Sequence, residues 1–246
     1  PSYIVQLAGV ESDHLAGFSR LHLTRSVSRA AQQGELHAEA ESVLVRPGLT
    51  PGDAYLTLNL PRPPDGAYLP LDPECVRELG RRAQRHTKAV VAYLRDKWPG
   101  FRHCKVARWP VRIGVRETRR VAGISHVTTN DILSGRRRTD EVTLSSWPIE
   151  LWDDHRGARF QHPESPASIP LSALISRTHP YLGAAGRCLS ASHGALGALR
   201  VIGTALATGE AIGTAAALAA DSGISLCDVA PKQVRDAIAR APKATG

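Results

Sequence analysis

The residues best equipped for chemistry are a run of charge, Arg116-Glu117-Thr118-Arg119-Arg120, and the histidines His126, His155 and His193. A planar guanidinium offers paired hydrogen bonds to a carboxylate or phosphate, so Arg116 and Arg120 are candidates to clamp an anionic substrate or a pyrophosphate. Read as a strand, positions 116, 118 and 120 share one face and 117 and 119 the other, which leaves Glu117 to brace Arg119 or a more distant arginine. An imidazole titrates near neutral pH and can accept a proton from a substrate. His193 follows Ser190-Ala191-Ser192, His155 follows Trp152-Asp153-Asp154, and His126 sits in Gly123-Ile124-Ser125-His126; these are the candidate bases, in that order.

Other chemistries find less support. The ten histidines show no HxxxH or HxH spacing and the carboxylates do not cluster along the chain, so no metal site is expected. Ser190 and Ser192 do not form a nucleophile elbow, because GxSxG is absent. The four cysteines are too far apart for CxxC pairs and too few for a disulfide scaffold, which points to a reducing cytoplasm.

The elements that must position these groups follow from periodicity and punctuation. Alternation at 3–7, 42–46 and 54–60 predicts strands, the last bounded by a proline cluster at 61, 63 and 64. A helix is expected over about 12–34, capped by Ser12 or Asp13 and stopped at Gly34. Asp72-Pro73-Glu74 opens a longer one that runs to Trp98, with apolar residues at 76, 79, 83, 90, 91 and 94. Strands return over 104–127, Thr128 or Thr129 caps a short helix through Leu133, and 147–152 and 169–175 are further strands around a loop at 153–168. An apolar helix is expected at about 195–220; Arg200 and Glu210 interrupt it too much for a membrane span. A last helix starts at Pro231, with Asp228 as a cap.

Across 246 residues, 42% apolar and 22% charged, the composition is that of an ordinary globular chain with core enough for one large or two small domains. Basic residues outnumber acidic ones 31 to 23, for a net charge of +8. They are spread out, and 5% aromatic content leaves little for base stacking, so an acidic partner or substrate is favoured over nucleic acid.

Two blocks carry a family resemblance. Residues 181–219, an apolar run, the turn Gly183-Ala184-Ala185-Gly186-Arg187 and a helix of Ala, Gly and Thr, resemble the carboxy-terminal end of FAD-dependent oxidoreductases related to the fumarate reductase and succinate dehydrogenase flavoproteins. Residues 114–137, with Arg116 to Arg120, a short connection and a helix ending in Ser134-Gly135-Arg136-Arg137, are similar to that group's substrate-side signature. The resemblance implies an α/β mix, a substrate-binding domain plus the carboxy-terminal completing part of a Rossmann-like FAD-binding domain. The corresponding boundaries are 1–110 for the substrate or cap domain, 111–174 for a substrate-side and interdomain segment, and 175–246 for the part of the FAD-binding domain. It further implies FAD as cofactor, with Gly186, Arg187, Ser190, Gly209 and Gly213 beside it, Arg120 and His126 at the substrate, and His193, His155 and Arg116 as catalytic candidates. Relatives often carry Gly-Asp where this chain has Gly186-Arg187, so a carboxylate on the ribityl hydroxyls is not expected here.

The glycine-rich fingerprint that seats the FAD pyrophosphate is absent, since no two glycines are separated by a single residue. There is also no methionine. The expectation is therefore one half of a flavoenzyme, either a separately encoded subunit or a product of cleavage, whose partner polypeptide carries GxGxxG. Its reaction would take hydride from an alcohol or amine carbon, or desaturate a C–C bond. A non-catalytic chain that stabilises a flavoprotein partner is the alternative.

Overall fold

The computed structural model describes residues 1–60 and 70–241, with the backbone alone at 153 and 154. The expected proline boundary at 61, 63 and 64 lies outside the described residues. Two compact units emerge, one of Pro1–Arg116 with Trp152–Ala158, the other of Glu117–Leu151 with Arg159–Gly246.

In the first unit, β1 (Ser2–Ala8), β2 (Leu44–Pro47), β3 (Asp53–Asn59) and β4 (Lys105–Arg108) form an antiparallel sheet in the order β2-β3-β1-β4. The register sets Val5 opposite Leu56 and Leu7 opposite Ala54, and all four side chains are fully buried. Strand alternation turns Tyr3, Val5 and Leu7 to the core and leaves Ile4 toward solvent. Two helices complete this core. Helix α1 (Gly17–Gln32) contributes Leu23, Val27 and Ala30, and α2 (Pro73–Lys97) contributes Leu79, Ala83, Val90 and Leu94, each series at helical spacing.

The α2 boundaries are written in local chemistry. Asp72 accepts a hydrogen bond from the Glu74 amide at 2.9 Å, Pro73 occupies the first helical position, and the helix ends before Pro99. The α1 start differs from expectation: Ser12–Leu15 is a separate 3-10 turn, and the helix begins at Gly17 behind Ala16, without a side-chain cap. Gly34, at φ +81°, follows the end of α1 as expected of a stop residue.

The second unit holds α3 (Thr129–Leu133), β5 (Glu141–Ser145), β8 (Ala167–Pro170), α4 (His193–Leu199), α5 (Ile202–Ser222) and α6 (Pro231–Arg240). Strands β5 and β8 pair antiparallel, and Ile132, Ile169, Leu174, Leu189, Ala195 and Ala211 are among its fully buried side chains. Between them in sequence runs the hairpin β6 (Ile149–Asp154) and β7 (Gly157–Gln161), of which Trp152–Ala158 belongs to the first unit, so the expected loop over 153–168 contains a strand.

Three further expectations are corrected. Beyond Arg108 the segment to Val127 is irregular, joined to other segments by isolated bridges such as Gly114 with Ser2 and Gly123 with Ser176 and by single backbone hydrogen bonds rather than by a strand ladder. Its alternation therefore does not assign 116, 118 and 120 to one strand face. The apolar helix at 195–220 is two helices, α4 and α5, broken at Arg200-Val201. Helix α6 starts behind Ala230 rather than under an Asp228 cap, with Gln233 folding back onto the Ala230 amide.

The chain is thus a mixed α/β protein with antiparallel sheets. Among the described residues, 175–241 contain helices and no named strand.

Candidate functional site

In the second unit the charged segment from Glu117 onward runs beside 188–193. Val121 donates its amide to the Cys188 carbonyl at 2.7 Å, Val127 to Ser190 at 3.1 Å, and Ser192 back to Val127 at 2.9 Å. Gly123 makes the close approach feasible, since a Cβ there would stand 2.6 Å from the Ser190 Cβ. This pairing gathers four predicted residues, Arg120, His126, Ser190 and His193, although up to 73 positions separate them in sequence.

Glu117 is the hinge of the cluster. Its Oε2 lies 2.6 Å from His193 Nδ1 and its Oε1 accepts from the Arg120 guanidinium. Burial pushes the Glu117 carboxyl up, but the His193 and Arg120 contacts outweigh it and hold the group below its ordinary value of 4.5. An ionised Glu117 accepts a proton from His193 Nδ1, so whenever the imidazole is neutral its lone pair is on Nε2. This is the orientation that a carboxylate imposes on a histidine base. The brace expected from Glu117 to Arg119 or a more distant arginine forms with Arg120, at a spacing of three that a strand would place on opposite faces.

His193 is the first residue of α4, and half-exposed. Ser192 caps that helix by accepting from the Ala195 amide at 3.3 Å, and its hydroxyl meets Thr129 Oγ1 at 3.1 Å. Thr129 opens α3, whose own capping box joins Thr128 and Asp131. Two short helix starts therefore fix the His193 backbone. His126 Nδ1 stands 3.1 Å from the buried Ser190 hydroxyl on the same run of chain.

Gly186 and Arg187, in the expected turn, open the 3-10 segment Gly186–Cys188. Gly186 has φ +57°, a conformation that favours glycine, and its amide donates to Thr208 Oγ1 of α5 at 3.0 Å. The turn is thereby docked on α5 with Arg187 exposed. Thr208 was not singled out from sequence; the signal was its phase, because Thr204, Thr208, Ala211, Ala215 and Ala219 form the buried face of α5. Gly209 and Gly213 lie elsewhere on this helix, and a Cβ at either, or at Gly203, would meet nothing within 4 Å.

The other two candidates belong to the first unit. The Arg116 guanidinium lies 5.8 Å from the Trp152 ring centre, in cation–π range, and 3.5 Å from Asn59 Oδ1. His155 Nε2 is 3.4 Å from Glu41.

Comparison with curated proteins and with solved structures found no match. Residues 9–238 match the family described as FAD dependent oxidoreductase; the chain belongs to that family, and FAD is the cofactor this membership implies.

Proposed function

We propose that this chain is a subunit or cleaved carboxy-terminal half of an FAD-dependent oxidoreductase of the fumarate reductase and succinate dehydrogenase flavoprotein group, transferring hydride from a small organic substrate to flavin. A partner polypeptide carrying GxGxxG would complete the enzyme. The observation that carries the reading is the Glu117–His193 contact at 2.6 Å, a carboxylate-oriented imidazole beside an arginine.

The residues fit the flavin in part. A glycine inside a helix costs about 0.5–1 kcal/mol relative to alanine. Gly209 and Gly213 incur that cost, and a Cβ at either or at Gly203 would meet nothing within 4 Å among the described residues; Ile202 and Leu206 on the same helix are 79% and 69% exposed. A close-packed body from outside the chain accounts for all five, and Gly186-Arg187 stands against the same helix. By length and composition α5 also passes for a membrane-crossing segment; Glu210 within it and its buried face of Thr204, Thr208 and Ala211 favour a protein or cofactor seat. The pyrophosphate cradle has no counterpart among the glycines of this sequence, which is the support for a partner.

Bound FAD supplies a two-electron acceptor. The chain's own contribution begins with Arg187 and the Gly186 turn, which would help bind the flavin. His193 Nε2 accepts the substrate proton while Glu117 stabilises the imidazolium that results, and Arg120 keeps Glu117 ionised and in place. Arg120 and His126 offer polar contacts to the substrate beside it, while Ser190, on the cofactor side in this reading, is buried against His126. His155 and Arg116 stay as secondary candidates, and the Rossmann-like completion by 175–246 and the domain boundaries at 110 and 174 belong to this reading. Four free cysteines are in keeping with a reducing cytoplasm.

Stopped-flow reduction tests the proposal: His193→Ala should slow flavin reduction with FAD still bound. Unchanged reduction would remove His193 from the site. The second reading, a non-catalytic stabiliser, draws on the exposed Ile202 and Leu206 face, and would hold if the complex kept full activity in that variant.

A further inference from the structure

In the first unit Glu39 lies on the short 3-10 segment Ala38–Ser42, with its side chain almost wholly buried. Its Oε1 accepts from Arg82 Nη2 of α2 at 2.9 Å, whereas its buried Oε2 has no hydrogen-bond donor among the described residues. Leaving a buried carboxylate oxygen without a donor is unfavourable, because its water has been removed and not replaced. Two imidazoles stand over that oxygen. His86 Nε2, from α2, is 3.5 Å away, and the His37 ring stacks on that of His86 with centres 4.0 Å apart. One ring nitrogen of each and a Glu39 oxygen all lie within 4.8 Å of one another.

We propose that His37, Glu39 and His86 bind a divalent transition-metal ion of the zinc class. Two imidazole nitrogens with one carboxylate oxygen suit zinc, whereas calcium and magnesium prefer oxygen ligands throughout. Three protein donors leave a fourth position for water or a small ligand. Donors on one ion at about 2.0–2.1 Å lie no more than about 4.2 Å apart, so the stacked rings must turn inward slightly. His37 is exposed and can make that turn, giving up the long 3.3 Å hydrogen bond its Nδ1 accepts from the Glu39 amide. The Arg82 contact with Oε1 holds the carboxylate with Oε2 toward the ion, as outer partners do for metal ligands. The Arg82 charge also opposes a cation, which places the affinity below that of a four-ligand structural zinc site. The bound ion ties the 3-10 segment to α2 and satisfies the orphaned oxygen.

The expectation against a metal site rested on spacing along the chain. His37 and Glu39 are near neighbours, but His86 comes from a helix far downstream, so only the fold displays the triad.

The test uses the full, untagged chain stripped with a chelator and titrated with Co2+, whose visible absorption reports four-coordinate geometry. One equivalent should bind with that spectrum, be displaced by Zn2+ and not by Mg2+, and raise the melting temperature. His37→Asn, a surface change, should keep the parent far-ultraviolet circular dichroism and weaken Co2+ binding at least tenfold, with Glu39→Gln doing the same. Absence of Co2+ binding in the parent, displacement by Mg2+, or parent-like affinity in folded His37→Asn would overturn the assignment. If His86→Asn fails to fold, the other two variants still decide it.

Discussion

At the residue scale, the account turns on how one carboxylate organises two side chains. Glu117 bonds His193 and Arg120 at once, so its removal should act through them. Glu117→Gln should slow proton abstraction by roughly 10²–10⁴-fold, the range of general acid–base effects, and shift the pH–rate profile, because His193 loses its tautomer control. A rate equal to the parent's would contradict the pairing. The same carboxyl makes a stability prediction. Its folded pKa lies below the ordinary 4.5, so the unfolded state binds more protons in the acid range. The stabilisation is present above about pH 4.5 and is lost as pH falls through the folded value. Urea midpoints measured across this window should fall less steeply for Glu117→Gln than for the parent. Arg187 belongs to cofactor retention: Arg187→Ala should release flavin from the complex while leaving its melting profile close to that of the parent. Equal flavin content would sink that role. Most of this cluster was legible in the sequence, since an imidazole and a guanidinium announce their chemistry by type. The Glu117 partnerships were not, because they depend on two extended segments 70 positions apart lying side by side, and Gly123, which permits that approach, reads locally as any loop glycine.

At the scale of elements, legibility follows local control. Helices α2 and α3 were readable to within a residue because their caps, Asp72 and Thr128, sit next to the helices they start. The stretch from 109 to 127 misled, because alternation signals a half-buried extended chain and does not specify a strand partner, which here exists only at single bridges. The single helix expected at 195–220 misled differently: Arg200-Val201 breaks it where the chain passes from α4 to α5, without proline or glycine to mark the break. Helix α5 offers the clearest element-scale test. Gly213→Ala should raise the stability of the isolated chain by about 0.5–1 kcal/mol, since a Cβ there meets nothing within 4 Å. Gly213→Leu should leave the isolated chain folded and weaken FAD or partner binding. If thermal melting and complex formation both ignore these changes, the α5 face has no external occupant. A contrasting control is Leu94 in α2, fully buried in the first core, where truncation to alanine should cost about 2–5 kcal/mol by urea unfolding.

At the scale of the whole molecule, family membership and the proposed division of labour are separate matters. Membership spans residues 9–238 and brings FAD with it. The proposed division of labour draws on an absent glycine fingerprint, an α5 face whose glycines and exposed leucine and isoleucine meet no packing partner among the described residues, and a basic balance of +8 that would steer an acidic partner. The mixed fold class was legible from alternating and helical patterns. Its antiparallel sheets were not, because pairing direction depends on connections that composition does not encode. The most direct measurement is native intact-mass analysis with visible absorbance on protein purified without denaturation. The account predicts a second chain of comparable size and a flavin spectrum that bleaches on addition of reducing substrate. A lone, folded, colourless chain that takes up no FAD would contradict it.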